Sequence, residues 1–188
     1  MNPFAARKVR NKAKESKLAL RGRLWPELLE KDIWTKNHDG FRNIPRTMPL
    51  LMSIMDDLSK GKPVSMAYLE IWCQSFDECV VTLRHQEMAF LAGSTGQRGE
   101  RTWRERIRIL HTLGFIDLKG GPAGPESYAL IYNPYLVVRK HVEKKTPGLL
   151  TDKVNALMAR AAEIGAPDFD LPGLGEPLPP EPTANASS

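Results

Sequence analysis

Between Gly99 and Ile116 the chain reads GERTWRERIRILHTLGFI, and this stretch constrains everything around it. Residues three and four apart share a helix face, so a helix here sets Trp103, Ile107 and Leu110 on one side and Arg101, Arg104 and Arg108 on the other. The apolar side demands a core behind it. The opposite side carries a row of guanidinium groups, which match phosphate oxygens and guanine edges bidentately.

The flanking segments supply that core. Thr47 is read as the cap of a helix in which Met48, Leu51, Met52, Ile54, Met55 and Leu58 are mostly buried, ended by Gly61 and Pro63. A second helix is predicted from Ser65, with Met66, Leu69, Trp72, Cys73 and Phe76 on its inner face. Cys79 to Leu83 is β-branched and reads as a strand. The segment HQEMAFLAG then reads as a short helix with Met88, Leu91 and Ala92 inward, closed by Gly93. After the Arg-faced helix stops at Gly114, Phe115 to Lys119 and Ser127 to Tyr132 alternate as two strands around the loop Gly120 to Pro125. Asn133-Pro134 breaks the second strand, and a helix is predicted from Tyr135 to Glu143. Leu150 to Ile164 forms an amphipathic helix whose stripe serves either its own core or a second copy of the chain.

At 188 residues the chain fits one main domain with extensions. Four parts are expected: a basic N-terminal arm and packing segment at 1–45, the main domain at 46–145, the amphipathic helix at 146–165, and a disordered acidic, Pro-rich tail at 166–188. The net charge of +5 is unevenly spread. Residues 1–24 hold eight Lys or Arg against one Glu, whereas residues 165–188 hold four acids and no base. A basic front end points to a polyanionic partner, nucleic acid first and an anionic membrane surface second. The segment Leu24 to Ile44, with Trp25, Leu28, Leu29, Ile33, Trp34 and Phe41 around the turn signal Asn37 to Gly40, is expected to pack in part on the body. No apolar run nears the roughly 18 residues of a membrane span, and the N-terminus lacks a secretory core, so a cytoplasmic location is expected.

The order helix, strand, helix, turn, helix, strand, loop, strand over residues 64–132 resembles the winged helix-turn-helix superfamily, about a third of the chain. The most specific part is the exit Leu110, Leu113, Gly114, Phe115 and Ile116, similar to a recognition helix closing into its wing. The added helices and the basic arm are more similar to plasmid and mobile-element proteins, including replication initiators, than to compact metabolite-responsive repressors. The expected fold is therefore mainly α with a small β-hairpin, a winged helix-turn-helix with extra N- and C-terminal helices. The resemblance implies binding of double-stranded DNA in transcription regulation or plasmid replication and maintenance, alongside replication or transcription proteins. Arg101, Arg104 and Arg108 would then face the groove, Thr95 and Gln97 would stand near the helix start, and Arg84, His85 and Arg98 closer to phosphates. The wing is margined only by Lys119 and Glu126, so it offers little to a phosphate backbone.

Other chemistries are weakly supported. Gly93 to Gly99 lacks the GK[ST] ending of a phosphate-binding loop. Cys73 and Cys79, six apart, make no disulfide framework and lie outside the usual zinc spacing even with His85 or His111 nearby. Asp56 and Asp57 are adjacent, about 100° apart on a helix, and read as surface residues rather than a paired acid and base. His38, His85, His111 and His141 are scattered without an activated nucleophile, so neither an enzyme nor a cofactor is expected. The alternative to DNA binding is a winged-helix protein-interaction module in a multiprotein assembly, its Arg face simply solvated and laced by Glu100 and Glu105.

Overall fold

A computed structural model describes residues 3–29, 33 and 41–165. Trp34, the turn signal Asn37 to Gly40 and the acidic tail at 166–188 lie outside the described residues. The chain divides into two units, Met1–Phe41 and Arg42–Ser188. The first holds one long helix, α1 (Pro3–Leu24), followed by a turn in which the Trp25 amide donates to the Arg21 carbonyl at 2.9 Å. Trp25, Leu28 and Leu29, expected in part to pack, are exposed, while Ile33 and Phe41 are half-buried.

The second unit is mostly helical with one small antiparallel sheet. Its elements are α2 (Met48–Leu58), α3 (Ser65–Gln74), β1 (Val80–Thr82), α4 (His85–Leu91), α5 (Gly99–Thr112), β2 (Ile116–Gly121), β3 (Gly124–Ile131), α6 (Pro134–Glu143) and α7 (Thr151–Ile164). Helix α2 buries Met48, Leu51, Ile54, Met55 and Leu58, the stripe that its periodicity demands. Thr47 does not cap it through its side chain. Buried completely, its hydroxyl pairs instead with the Tyr135 hydroxyl at the start of α6, tying the two helices together.

The start of α3 is capped from a distance. Asp56 on α2 accepts from the Val64 and Ser65 amides at 2.6 and 2.8 Å through one carboxylate oxygen, satisfying donors that the helix itself leaves unpaired. Its neighbour Asp57 pairs with Lys153 of α7 at 2.5 Å. These two carboxylates are therefore structural ties and not merely surface residues. The inner face of α3 also differs from expectation: Ala67, Tyr68 and Ile71 are buried, whereas Met66, Cys73 and Phe76 are exposed and Trp72 is half-buried. Trp72 uses its indole N–H on the Asn43 carbonyl at 3.0 Å. In α4, His85, Met88 and Ala89 face inward and Leu91 does not.

The sheet runs in the order β1-β3-β2, antiparallel throughout, with Val80 opposite Leu130 and Ile116 opposite Ile131. The hairpin is tighter than predicted. Gly121 pairs with Gly124, so the strands run on to a two-residue turn at Pro122-Ala123. The Ser127 hydroxyl braces that turn, accepting from the Ala123 amide at 3.1 Å and donating to the Gly124 carbonyl at 2.9 Å. Behind the sheet and helices the core centres on Trp103, Tyr68 and Phe115, with Tyr68 and Phe115 edge to face at 6.2 Å. Helix α7 closes the far side against α2: Val154, Leu157 and Ala161 are buried within the chain's own core. Among the described residues no helix is long and apolar enough to cross a membrane.

Candidate nucleic-acid interface

Helix α5 stands as its periodicity requires. Trp103, Ile107 and Leu110 are fully buried, and the helix ends by the bond pair in which the Gly114 amide reaches the His111 carbonyl and the Phe115 amide the Leu110 carbonyl, both at 3.0 Å. Gly114 holds φ at +81°, a left-handed conformation that a side chain would strain. This turn sends the chain directly into β2, so the position of the hairpin beside α5 follows from it.

A buried relay then fixes α4, α5 and β3 to one another. The Trp103 indole N–H donates to His85 Nδ1 at 3.1 Å, and His85 Nε2 lies 2.8 Å from the Glu126 carbonyl oxygen. Indole is a donor only, so Nδ1 must accept and the imidazole proton sits on Nε2. His85 is therefore held neutral. Burial and the Arg104 charge push its pKa below the ordinary histidine value, against the opposing pull of its bond to the Glu126 backbone and the nearby Glu126 and Glu100 charges. His85 was expected near phosphates; instead it is 7% exposed and structural.

Glu126, as a residue also 7% exposed, supplies in its side chain the second half of the same corner. One carboxylate oxygen accepts from Arg104 Nη1 at 3.0 Å and the other from Arg108 Nε. Burial opposes ionisation of Glu126, but the hydrogen bonds and charges of Arg108 and Arg104 outweigh it and hold the carboxyl below its usual range. Arg104 is doubly bound, because its Nε and Nη2 also reach Glu100 at 2.9 and 2.8 Å. Its side chain is only 28% exposed. Arg108 commits Nε alone to hydrogen bonding among the described residues, and its side chain remains 61% exposed.

The other expected contact residues are dispersed around this corner. Arg101 is exposed on the first turn of α5 and makes no ion pair among the described residues. It borders an open depression of about 340 Å³ shared with Glu105, Arg108, Ile109 and Thr112. Glu105 pairs first with Lys62 in the α2–α3 connection, whose hydrogen bond and charge lower its pKa, with smaller contributions from the Arg106 and Arg101 charges. Thr95, Gln97 and Arg98 lie exposed in the α4–α5 turn. Arg84 precedes α4 and pairs with Glu87 at 2.9 Å, and Lys119 on β2 pairs with Asp117 at 3.1 Å. The hairpin's sole predicted cation is thus already partnered.

No family model, curated protein or solved structure matches the chain.

Of the arginine row, then, Arg101 and Arg108 are the exposed members, while Arg104 is 28% exposed and gives three of its five N–H donors to Glu100 and Glu126. Glu126 is the residue that sequence reasoning missed. It stands 22 and 18 positions from its two arginine partners, and no helical or strand spacing links residues so far apart. Among the described residues no cluster of His, Cys, Asp and Glu is placed to hold a metal ion.

Proposed function

We propose that this chain binds double-stranded DNA through a winged helix-turn-helix module running from α3 to β3, in transcription control or in plasmid replication and maintenance. The observation that carries the reading is α5 itself: an apolar back buried in the core, Arg101 and Arg108 exposed in front, and a hairpin of the β1-β3-β2 sheet following at once. Such a helix fits the width of the B-DNA major groove, where guanidinium groups reach base edges and phosphates. The α4–α5 turn adds Arg98 at the N-terminal end, where helix dipole and free amides favour an anion. Bound at a site, the protein would act by positioning or blocking other proteins there.

A protein-interaction module is the second reading. It is favoured by the neutralisation of Arg104 and Lys119, which removes two cations from the face that would meet phosphates. Titration of a labelled duplex at increasing salt separates the two. DNA binding predicts a log K that falls linearly with log salt, and an Arg98→Ala, Arg101→Ala double variant whose slope is shallower by about 2, since each phosphate contact contributes about 0.9. Failure of the wild-type chain to bind any duplex at low salt would overturn the DNA reading in favour of the second.

A further inference from the structure

Resting on the DNA reading above, we infer that Glu126 is a positioning residue that makes Arg108 a reader of guanine and withdraws Arg104 from readout. The three arginines of the row are not equivalent. Arg104 commits an N–H at each of Nε, Nη1 and Nη2 to two carboxylates, three of its five donors, and with its side chain only 28% exposed it is tied to the protein on two sides. Arg108 spends only Nε, on the side toward β3. A guanidinium group is planar and rigid, so fixing Nε leaves its far edge, Nη1 and Nη2, directed outward as two parallel donors. That pair matches the O6 and N7 acceptors that guanine presents in the major groove.

The residue that does the fixing is anchored through its backbone. Glu126 sits on β3, its carbonyl is bonded by His85, and His85 is in turn bonded by the fully buried Trp103. An arginine held in this way has already lost the side-chain freedom that a solvated one surrenders on binding. The charge balance points the same way. Glu100, Arg104, Glu126 and Arg108 together are neutral, so the corner adds no net attraction for the backbone and contributes through geometry. Non-specific grip is left to Arg98 and Arg101, exposed and without an ion pair among the described residues.

The test selects bound fragments from random duplex DNA with the wild-type chain and with Arg108→Lys, Arg104→Gln, Glu126→Gln and Glu126→Asp, each checked for a cooperative melt. The wild type should enrich one guanine position. Arg108→Lys, an exposed swap that keeps the charge, should lose roughly 5- to 150-fold discrimination there with little change in salt slope. Glu126→Gln should lose the same preference and steepen the salt slope by about 1, because a released arginine then serves a phosphate. A purely structural Glu126 would not steepen that slope. Glu126→Asp keeps the charge but shortens its reach, so it should lose the preference too, and it decides the matter if Glu126→Gln does not fold. Arg104→Gln should keep the guanine. The same guanine preference in Arg108→Lys, or in a folded Glu126 variant, overturns the inference alone. Wild-type binding without base preference also overturns it and leaves the DNA reading standing, whereas no duplex binding overturns both.

Discussion

Replacing Trp103 with Phe would test the buried corner behind α5 most directly. The substitution keeps an aromatic ring but removes the indole N–H that donates to His85 Nδ1 at 3.1 Å. Trp103 is fully buried, so two costs arise. About 50 Å² less apolar surface is hidden, roughly 1 kcal/mol. A buried ring nitrogen also loses its only donor, at about 1–3 kcal/mol. The sum is about 2–4 kcal/mol, which for a domain of this size lowers the melting temperature by roughly 6–20 °C.

A second signature concerns acid. Because the His85 pKa is lowered in the fold by burial and by Arg104, the unfolded chain binds more protons than the folded one between that lowered value and the ordinary one. The stability from a neutral His85 is complete above about pH 6.5, and it is lost as pH falls through that value toward the folded pKa. In wild type a proton on Nδ1 would face the indole N–H, donor against donor. In Trp103→Phe that conflict is gone, so the melting temperature should fall less steeply from about pH 7 to pH 5. Thermal melts by circular dichroism across that range measure both effects. A variant within about 0.5 kcal/mol of wild type at neutral pH, or one with an unchanged acid response, would refute the relay.

Two further predictions concern packing. Gly99→Ala should destabilise the fold by about 1–3 kcal/mol in urea titrations despite the better helix propensity of Ala, because a Cβ there would lie 2.2 Å from the Ser94 carbonyl oxygen, a backbone atom that only an opened α4–α5 turn can move. Stability equal to wild type would show that this turn yields easily. Leu157→Ala, at a fully buried position on α7, should cost about 2–5 kcal/mol while leaving the mass measured by sedimentation unchanged; a mass that drops would instead mean that α7 joins two copies.

Much of the architecture was legible in the order of residues. The extents of α2 and α5 followed from apolar stripes with one clear phase, and the turn after α5 from Leu113-Gly114-Phe115. Helix α3 was not legible in the same way. It carries two apolar stripes, one through Met66, Leu69, Trp72 and Phe76 and another through Val64, Ala67, Tyr68 and Ile71, and periodicity cannot rank them. The second stripe, with its small Ala67, is the one buried where α3 meets α2, α4 and α5. The capping of α3 by Asp56 and the bracing of the hairpin turn by Ser127 were equally hidden, since both depend on where a neighbouring segment arrives.

What the sequence determined by itself is a helix with a tryptophan-led back and an arginine front, closing through Gly114 into a hairpin. Local periodicity and a left-handed turn are enough to specify that much. Which of those arginines remains free was decided only by tertiary structure. The hairpin folds back to bring a buried carboxylate against α5, and a carboxylate out of water takes the cations within reach. Arg104 is consumed by that requirement, Arg108 is oriented by it, and Arg101 stands beyond it.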